Sequence, residues 1–295
     1  MGIAYALLAM LAFATNIVIT RYALARLPVE SGFFVVLATN VLFPAALFAA
    51  ELALRAAPYA WDWKGAGLFA IGGMIGTFLG RRFLFDTVKI LGPSRASVFH
   101  STAPAFALVA AWILAGEVLG GYEIALMAVV WLGLWFTQPR AGSRHALAPQ
   151  VLRRGLAVGL LTVAGFGFGN VLRGLAMREW SEAALGAVIA SVAALGCQFA
   201  VTRNWAGVAT QLRGAQVSAL WLYIGCGIFT SLGSIFISLA MTQMEIALAV
   251  LVVHTTPLVI FPVSVFLLKN REELTPRTVL GAMLVLAGIA FLALR

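Results

Sequence analysis

Ten apolar runs, each close to the length of a bilayer crossing and parted by short polar breaks, constrain this chain more than any other feature. They cover approximately 3–23, 32–54, 65–90, 94–115, 122–138, 154–177, 183–202, 215–241, 246–268 and 276–294. A membrane helix needs roughly 20 apolar residues and closes all its backbone hydrogen bonds internally, because hydrocarbon offers none. Ten such helices and their connections use up all 295 residues, so no soluble domain is expected beside them. The expected fold is an all-α integral membrane protein. Composition agrees: 62% of residues are hydrophobic, 11% are charged and mean hydropathy is +0.99, so lipid must solvate most of the surface.

The breaks carry Gly, Pro and charge, as at Leu27-Pro28, Ala57-Pro58, Gly92-Pro93 and Gly120-Gly121. The longest, from Pro139 to Arg154, separates five runs from five. The first run starts at Met1 with neither a basic n-region nor a small-residue cleavage site, so a retained membrane helix is expected there. Cys197 and Cys226 lie inside apolar runs, where thiols act as small hydrophobes. The net charge of +9 does not point to nucleic acid, because Lys and Arg are scattered through loops instead of forming a stripe with interleaved aromatics. Membrane lipid headgroups are the expected counter-charge.

A linker near the midpoint invites a test for duplication. Sliding the chain by 154 positions pairs Asn16 with Asn170, Gly32 with Gly186, Gly73 with Gly227, His100 with His254 and Thr102 with Thr256. The Asn and His pairs carry the most weight, since polar residues are scarce in membrane helices and the chain has only three His. The reading is two repeats, 1–138 and 154–295, joined by a linker at 139–153. Five crossings per repeat is an odd number, so the second repeat enters from the opposite side and the two are inverted copies around a central cavity.

Polar residues inside the runs mark candidate cavity walls. Asn16 and Thr20 share a helix face at i,i+4, as do Asn170 and Arg173 at i,i+3. For any one of them the bland alternative is an interhelical hydrogen bond, and its occurrence at repeat-related positions favours the cavity. His100 precedes Pro104 by four residues and His254 lies beside Val253, whose carbonyl loses its helical partner to Pro257. Each repeat thus offers an imidazole beside a freed acceptor, suited to solute contact or proton coupling, against the null of a satisfied packing histidine. Gly72, Gly76 and Gly80 form overlapping GxxxG steps that admit a second backbone. Just beyond them, Arg82, Asp86 and Lys89 have the spacing of a neutralising ion ladder, while Arg81 has no local partner and lies below Thr77, which aligns with Ser231. Arg81 is therefore taken as a cation facing the cavity, with snorkelling to headgroups as the alternative. Ser231, Ser234 and Ser238 form the matching polar stripe. Gly165 to Gly169 alternates Gly with Phe but follows no strand, so it is not taken for a nucleotide loop. Trp112, Trp131, Trp135, Trp205 and Trp221 suit an interfacial belt. No metal motif accompanies the histidines, and neither a metal nor a cofactor is expected.

Together Gly92-Pro93-Ser94-Arg95-Ala96-Ser97, Ala103-Pro104-Ala105-Phe106 and Ala115-Gly116-Glu117, echoed by Thr256-Pro257-Leu258 and Lys269 to Thr275, resemble the EamA branch of the drug/metabolite transporter superfamily. The resemblance spans nearly the whole chain. It implies a ten-helix basket in the cell membrane, of the bacterial inner-membrane type, that exports amino acids or other small polar metabolites, as the YddG-like exporters do. It also implies a cytoplasmic N-terminus, which would leave the outer loops rich in Arg and Lys and favour a vestibule for anions. The positive-inside rule favours the opposite orientation, and both stand at this point. The expected activity is secondary transport of a small-molecule solute, with Asn16, Thr77, Arg81, His100, Asn170, Ser231 and His254 lining the path. The alternative substrate is a phosphorylated or lipid-linked anion. An enzyme is not expected, because the chain has eleven acidic residues, most near helix ends.

Overall fold

The computed structural model describes residues 1–55, 60–91, 102–137, 148–256, 258–259 and 276–293, and all regular structure among them is helical. The first half supplies α1 (Gly2–Leu24), α2 (Val29–Leu54), α3 (Trp63–Leu91), α4 (Ala103–Ala115) and α5 (Gly121–Thr137). The second supplies α6 (Pro149–Glu179), α7 (Ala183–Val201), the short α8 (Trp205–Arg213), α9 (Val217–Met241), α10 (Ile246–Val253) and α11 (Pro276–Ala293). Six of these, α1, α2, α3, α6, α7 and α9, are long and apolar enough to cross a membrane. Further apolar stretches occur at Ala103–Ala115, Ile124–Phe136 and Val279–Gly288. Large apolar side chains face outward, with Trp112 at 62% and Trp221 at 66% exposure, which is tolerable only in lipid.

Helix α8 was not foreseen. At nine residues it is about 13 Å long and cannot span the bilayer. Its start was legible in principle: the Asn204 side chain accepts the N–H of Gly207 at 2.9 Å, an ordinary N-cap.

Helix packing repeats under exchange of the halves. α1 packs on α9 as α6 packs on α3; α2 on α9 as α7 on α3; α1 on α10 as α6 on α4. The remaining principal pairs, α2 with α7, α4 with α10 and α5 with α11, map onto themselves. The 154-residue offset holds at the level of single contacts. Gly32 leaves space for the ring of Tyr223, and their partners under the offset, Gly186 and Phe69, make the same contact in reverse. Likewise Gly73 lies against the backbone of Ala190, and Gly227 lies against the Val36 carbonyl. Such crosswise pairs are what a twofold operation produces. With five crossings per half, that axis lies in the membrane plane and the repeats are inverted.

The GxxxG steps of α3 do what their spacing implies. Gly76 approaches the backbone of Gly169 and Gly80 that of Gly165, so α3 and α6 meet backbone to backbone. Within the same alternating segment Gly167 faces Phe106 and Ala107 of α4, so these glycines serve two seams of one helix. From Gly73 to Gly80 helix α3 is π-helical, a conformation that occurs frequently at functional sites and that carries Thr77 here.

Candidate functional site

Four helices related by the twofold, α1 with α9 and α6 with α3, bring most of the expected polar residues together. On α1, the Thr20 hydroxyl donates to Asn16 Oδ1 at 3.4 Å and lies 3.3 Å from the Cys226 sulfur of α9. Arg81 of α3 interacts electrostatically with the same thiol and places its guanidinium carbon 5.6 Å from the centroid of the Phe33 ring on α2. Phe33 and Cys226 are both buried, so Arg81 points into the bundle and does not snorkel. One turn earlier on α3, Thr77 accepts from Arg173 of α6 at 3.5 Å, and Arg173 also donates to Asn170 Oδ1 at 3.1 Å. Thr77, Arg173 and Asn170 thus form one hydrogen-bonded group and Asn16, Thr20 and Cys226 another, each reached from both repeats, with Arg81 one turn from Thr77 on α3 and coupled electrostatically to Cys226; together these are termed the cluster. Arg173, which the sequence places on one face with Asn170 and which with Arg81 motivates the anionic alternative, is its most enclosed charged member at 9% exposure.

The other expected residues lie elsewhere. Ser231 is 2% exposed and sits 3.2 Å from the Asn40 amide of α2. With that amide oriented to suit its neighbours, it also donates to the carbonyls of Gly227 and Val36. This is a closed packing motif at the α2–α9 seam. Ser238 likewise turns back to the carbonyl of Ser234 at 2.7 Å. His254 caps the end of α10, half-buried, with Nδ1 2.9 Å from the carbonyl of Val250. The acceptor expected beside it is not free: the Thr256 hydroxyl takes the Val253 carbonyl at 2.6 Å, because a nearby hydroxyl satisfies what a missing proline N–H leaves open. His100 lies outside the described residues, as do the motif at 92–97, Pro257 and the segment 269–275. Pro104 stands in the first turn of α4, where a missing N–H costs nothing.

The ion ladder expected from Arg82, Asp86 and Lys89 does not form, since none of the three has an ion-pair partner among the described residues. Arg82 and Lys89 are exposed near the end of α3, where water and headgroups solvate each charge without a partner. Ion pairs occur instead at one five-residue turn, 178–182, between α6 and α7. Arg178 donates to Glu117, Glu179 accepts from Lys64 at 2.6 Å, and Glu182 accepts two N–H groups of Arg55 at 2.7 and 3.1 Å. The Trp180 indole adds a bond to the Ala60 carbonyl and packs edge-on to Trp61. Glu117 follows the left-handed Gly116 and is buried, and its carboxylate also accepts the N–H groups of Ile246 and Ala247, capping α10. The hydrogen bond to Glu182, before any other cause, holds the Arg55 guanidinium above its ordinary pKa. All three pairings at this turn join one repeat to the other. The sequence signal was present in Arg178-Glu179-Trp180-Ser181-Glu182, a charged island between apolar runs. Among the described residues no group of three or more His, Cys, Asp or Glu side chains could hold a metal ion.

The model of the EamA-like transporter family matches residues 1–138 and again 153–294. This chain belongs to that family. One crystal structure superposes with a TM-score of 0.72 over 99% of this chain and 96% of its own, at 16% identity, which places the two in the same fold. No curated protein matches the sequence. EamA membership makes the protein a multi-pass membrane transporter of the drug/metabolite superfamily, with a small-molecule solute and a lipid environment. The chemistry of the cluster suits that role: neutral hydrogen-bonding groups and two guanidinium ions deep in a bilayer, where ionisable residues mark solute paths by default.

Proposed function

We propose that this EamA transporter is a secondary exporter of amino acids or other small polar metabolites, of the bacterial inner-membrane type, working by alternating access. The moving units in this reading are residues 1–138 and 154–295, linked by 139–153, which rock about the twofold while the cluster stays near mid-depth. The observation that carries the reading is the polar cluster itself. Across the repeats Arg173, bonded to Asn170, donates to Thr77, and Thr20, bonded to Asn16, lies 3.3 Å from Cys226, while Arg81 stands one turn from Thr77. A solute held there touches both moving units, as alternating access requires. His254 and its repeat partner His100 are the candidates for proton coupling in this reading.

The test is exchange of radiolabelled solutes by purified protein in liposomes. Alanine at Asn16 or Asn170 is expected to cut flux at least about fivefold with the folded fraction unchanged, as one lost polar contact of about 1 kcal/mol implies. Wild-type flux in both variants removes the site. Arg81 and Arg173 favour a second reading, translocation of a phosphorylated or lipid-linked anion. Competition by phosphate-bearing compounds and not by amino acids selects it.

A further inference from the structure

Among the described residues two guanidinium groups, those of Arg81 and Arg173, point into the bundle and neither meets a carboxylate. Arg173 has five N–H donors, and its described partners are Asn170 of its own helix and, at 3.5 Å, the hydroxyl of Thr77. These are neutral and the second is long, so the charge is left uncompensated. Arg81 has the Phe33 ring centroid 5.6 Å from its guanidinium carbon, again with no anion among the described residues. Leaving a buried charge unpaired is expensive, and a fold that sets Arg173 of α6 against Thr77, one turn from Arg81 on α3, needs something to offset the charge. Four of the described acids can be set aside. Glu117 is committed to Arg178 and the start of α10, Glu179 and Glu182 pair at the same turn, and Asp86 stands about 140° round the helix from Arg81.

We propose that the solute is a net oxyanion, carrying a carboxylate or phosphate group, and that Arg173 is its main anchor with Arg81 as the second clamp. A bidentate guanidinium contact suits either group. The absence of an unpaired carboxylate at the cluster, among the described residues, gives an ammonium nothing to meet, so the inference separates anions from zwitterions and cations. Arg82, Lys89, Arg26 and Arg213 lie towards the face where α3 ends and set a positive potential along the approach. This inference rests on the transporter reading and narrows its small polar metabolites to anions, in place of zwitterionic amino acids.

The experiment uses the full chain in phosphatidylcholine liposomes without anionic lipid, assayed by counterflow with inorganic phosphate, succinate, alanine, lysine and glucose. The expected result is exchange of phosphate or succinate in preference to the other three. Arg173→Gln should lower that exchange about tenfold or more, and Arg173→Lys should recover part of it. In detergent, the same anion should raise the thermal midpoint of the wild type and not of Arg173→Gln, which reports binding independently of flux. Exchange confined to alanine, lysine or glucose overturns the anion assignment while the transporter reading survives. Anion exchange that is equal in wild type and Arg173→Gln overturns the anchor. Stabilisation by phosphatidylglycerol and by neither soluble anion assigns the clamp to a lipid headgroup and overturns the small solute. Exchange of none of the five by inserted, folded protein counts against the transporter reading itself, and the inference falls with it.

Discussion

On the face that carries Met1, the turn at 178–182 ties α6 and α7 to α2, α3 and α4 through three ion pairs and an indole hydrogen bond. The twofold relates it to residues 24–28, between α1 and α2 on the opposite face. There no ion pair forms among the described residues. A cleft of about 420 Å³, lined by Ala25, Arg26, Leu27 and Pro28 on one side and by Gln211, Gly214, Ala215 and Gln216 on the other, separates the turns. Two contacts bridge that region, the Tyr223 hydroxyl to the Leu27 carbonyl at 2.9 Å and Ser31 to Gln211 at 2.6 Å. Equal backbones thus carry unequal chemistry. One face is latched between the repeats by opposite charges, whereas the other presents cations that have no carboxylate to close on. Under the proposed alternating access, this difference means the two gates are held by different forces. Salt and charge removal should act on the Met1 face, and solute anions on the other.

The largest way to break the comparison is Glu117→Ala. It strands Arg178 and uncaps α10 at once, and the expected cost is about 3 kcal/mol in the midpoint of unfolding in mixed micelles. Arg26→Ala, on the cleft side, should shift the same midpoint by less than about 0.5 kcal/mol. Equal shifts in the two variants would mean that the faces are not mechanically different. Next in size is access. Cysteines at the repeat-related positions Ala183 and Val29 should react with a water-soluble maleimide at rates differing about tenfold, Val29→Cys being the faster. Adding Glu182→Gln should raise only the rate at Ala183→Cys. A rate there that ignores Glu182 would show the latch to be incidental. The smallest expected effect sharpens the ranking of the pairs. Lys64 and Glu179 have side chains 68% and 41% exposed, so Lys64→Ala should cost no more than about 0.5 kcal/mol, and that cost should vanish in 1 M salt.

Much of the architecture was legible before any coordinates. Asn16 with Asn170 and Gly32 with Gly186 were matched by a fixed offset, and the structure returns the same offset as crosswise packing of Gly32 on Tyr223 and Gly186 on Phe69. The pairing Thr20–Asn16 and the pairing Arg173–Asn170 followed from helical spacing alone, because residues three or four apart share a face in any helix. Spacing was a weaker guide where it had to choose partners. It suited Arg82 to Asp86 to Lys89 as a ladder, and solvation at the helix end removed the need for one. It placed Ser231 level with Thr77, yet Ser231 turns to Asn40 across the α2–α9 seam. Arg173 gained its importance only when α3 was brought against α6.

The one-dimensional order of residues determined the solvent, the number of runs and the duplication, since these depend on apolar length and on which residues recur at a constant interval. The tertiary structure decided which polar groups face one another: that Arg173 reaches Thr77, that Glu117 caps α10, and that one face is latched while its twin is cleft. The physical reason is range. Hydrophobic length and helical periodicity are properties of neighbours along the chain, whereas a hydrogen bond or ion pair between residues 61 to 129 positions apart exists only after the helices have packed, and that packing was set by where glycine let two backbones touch.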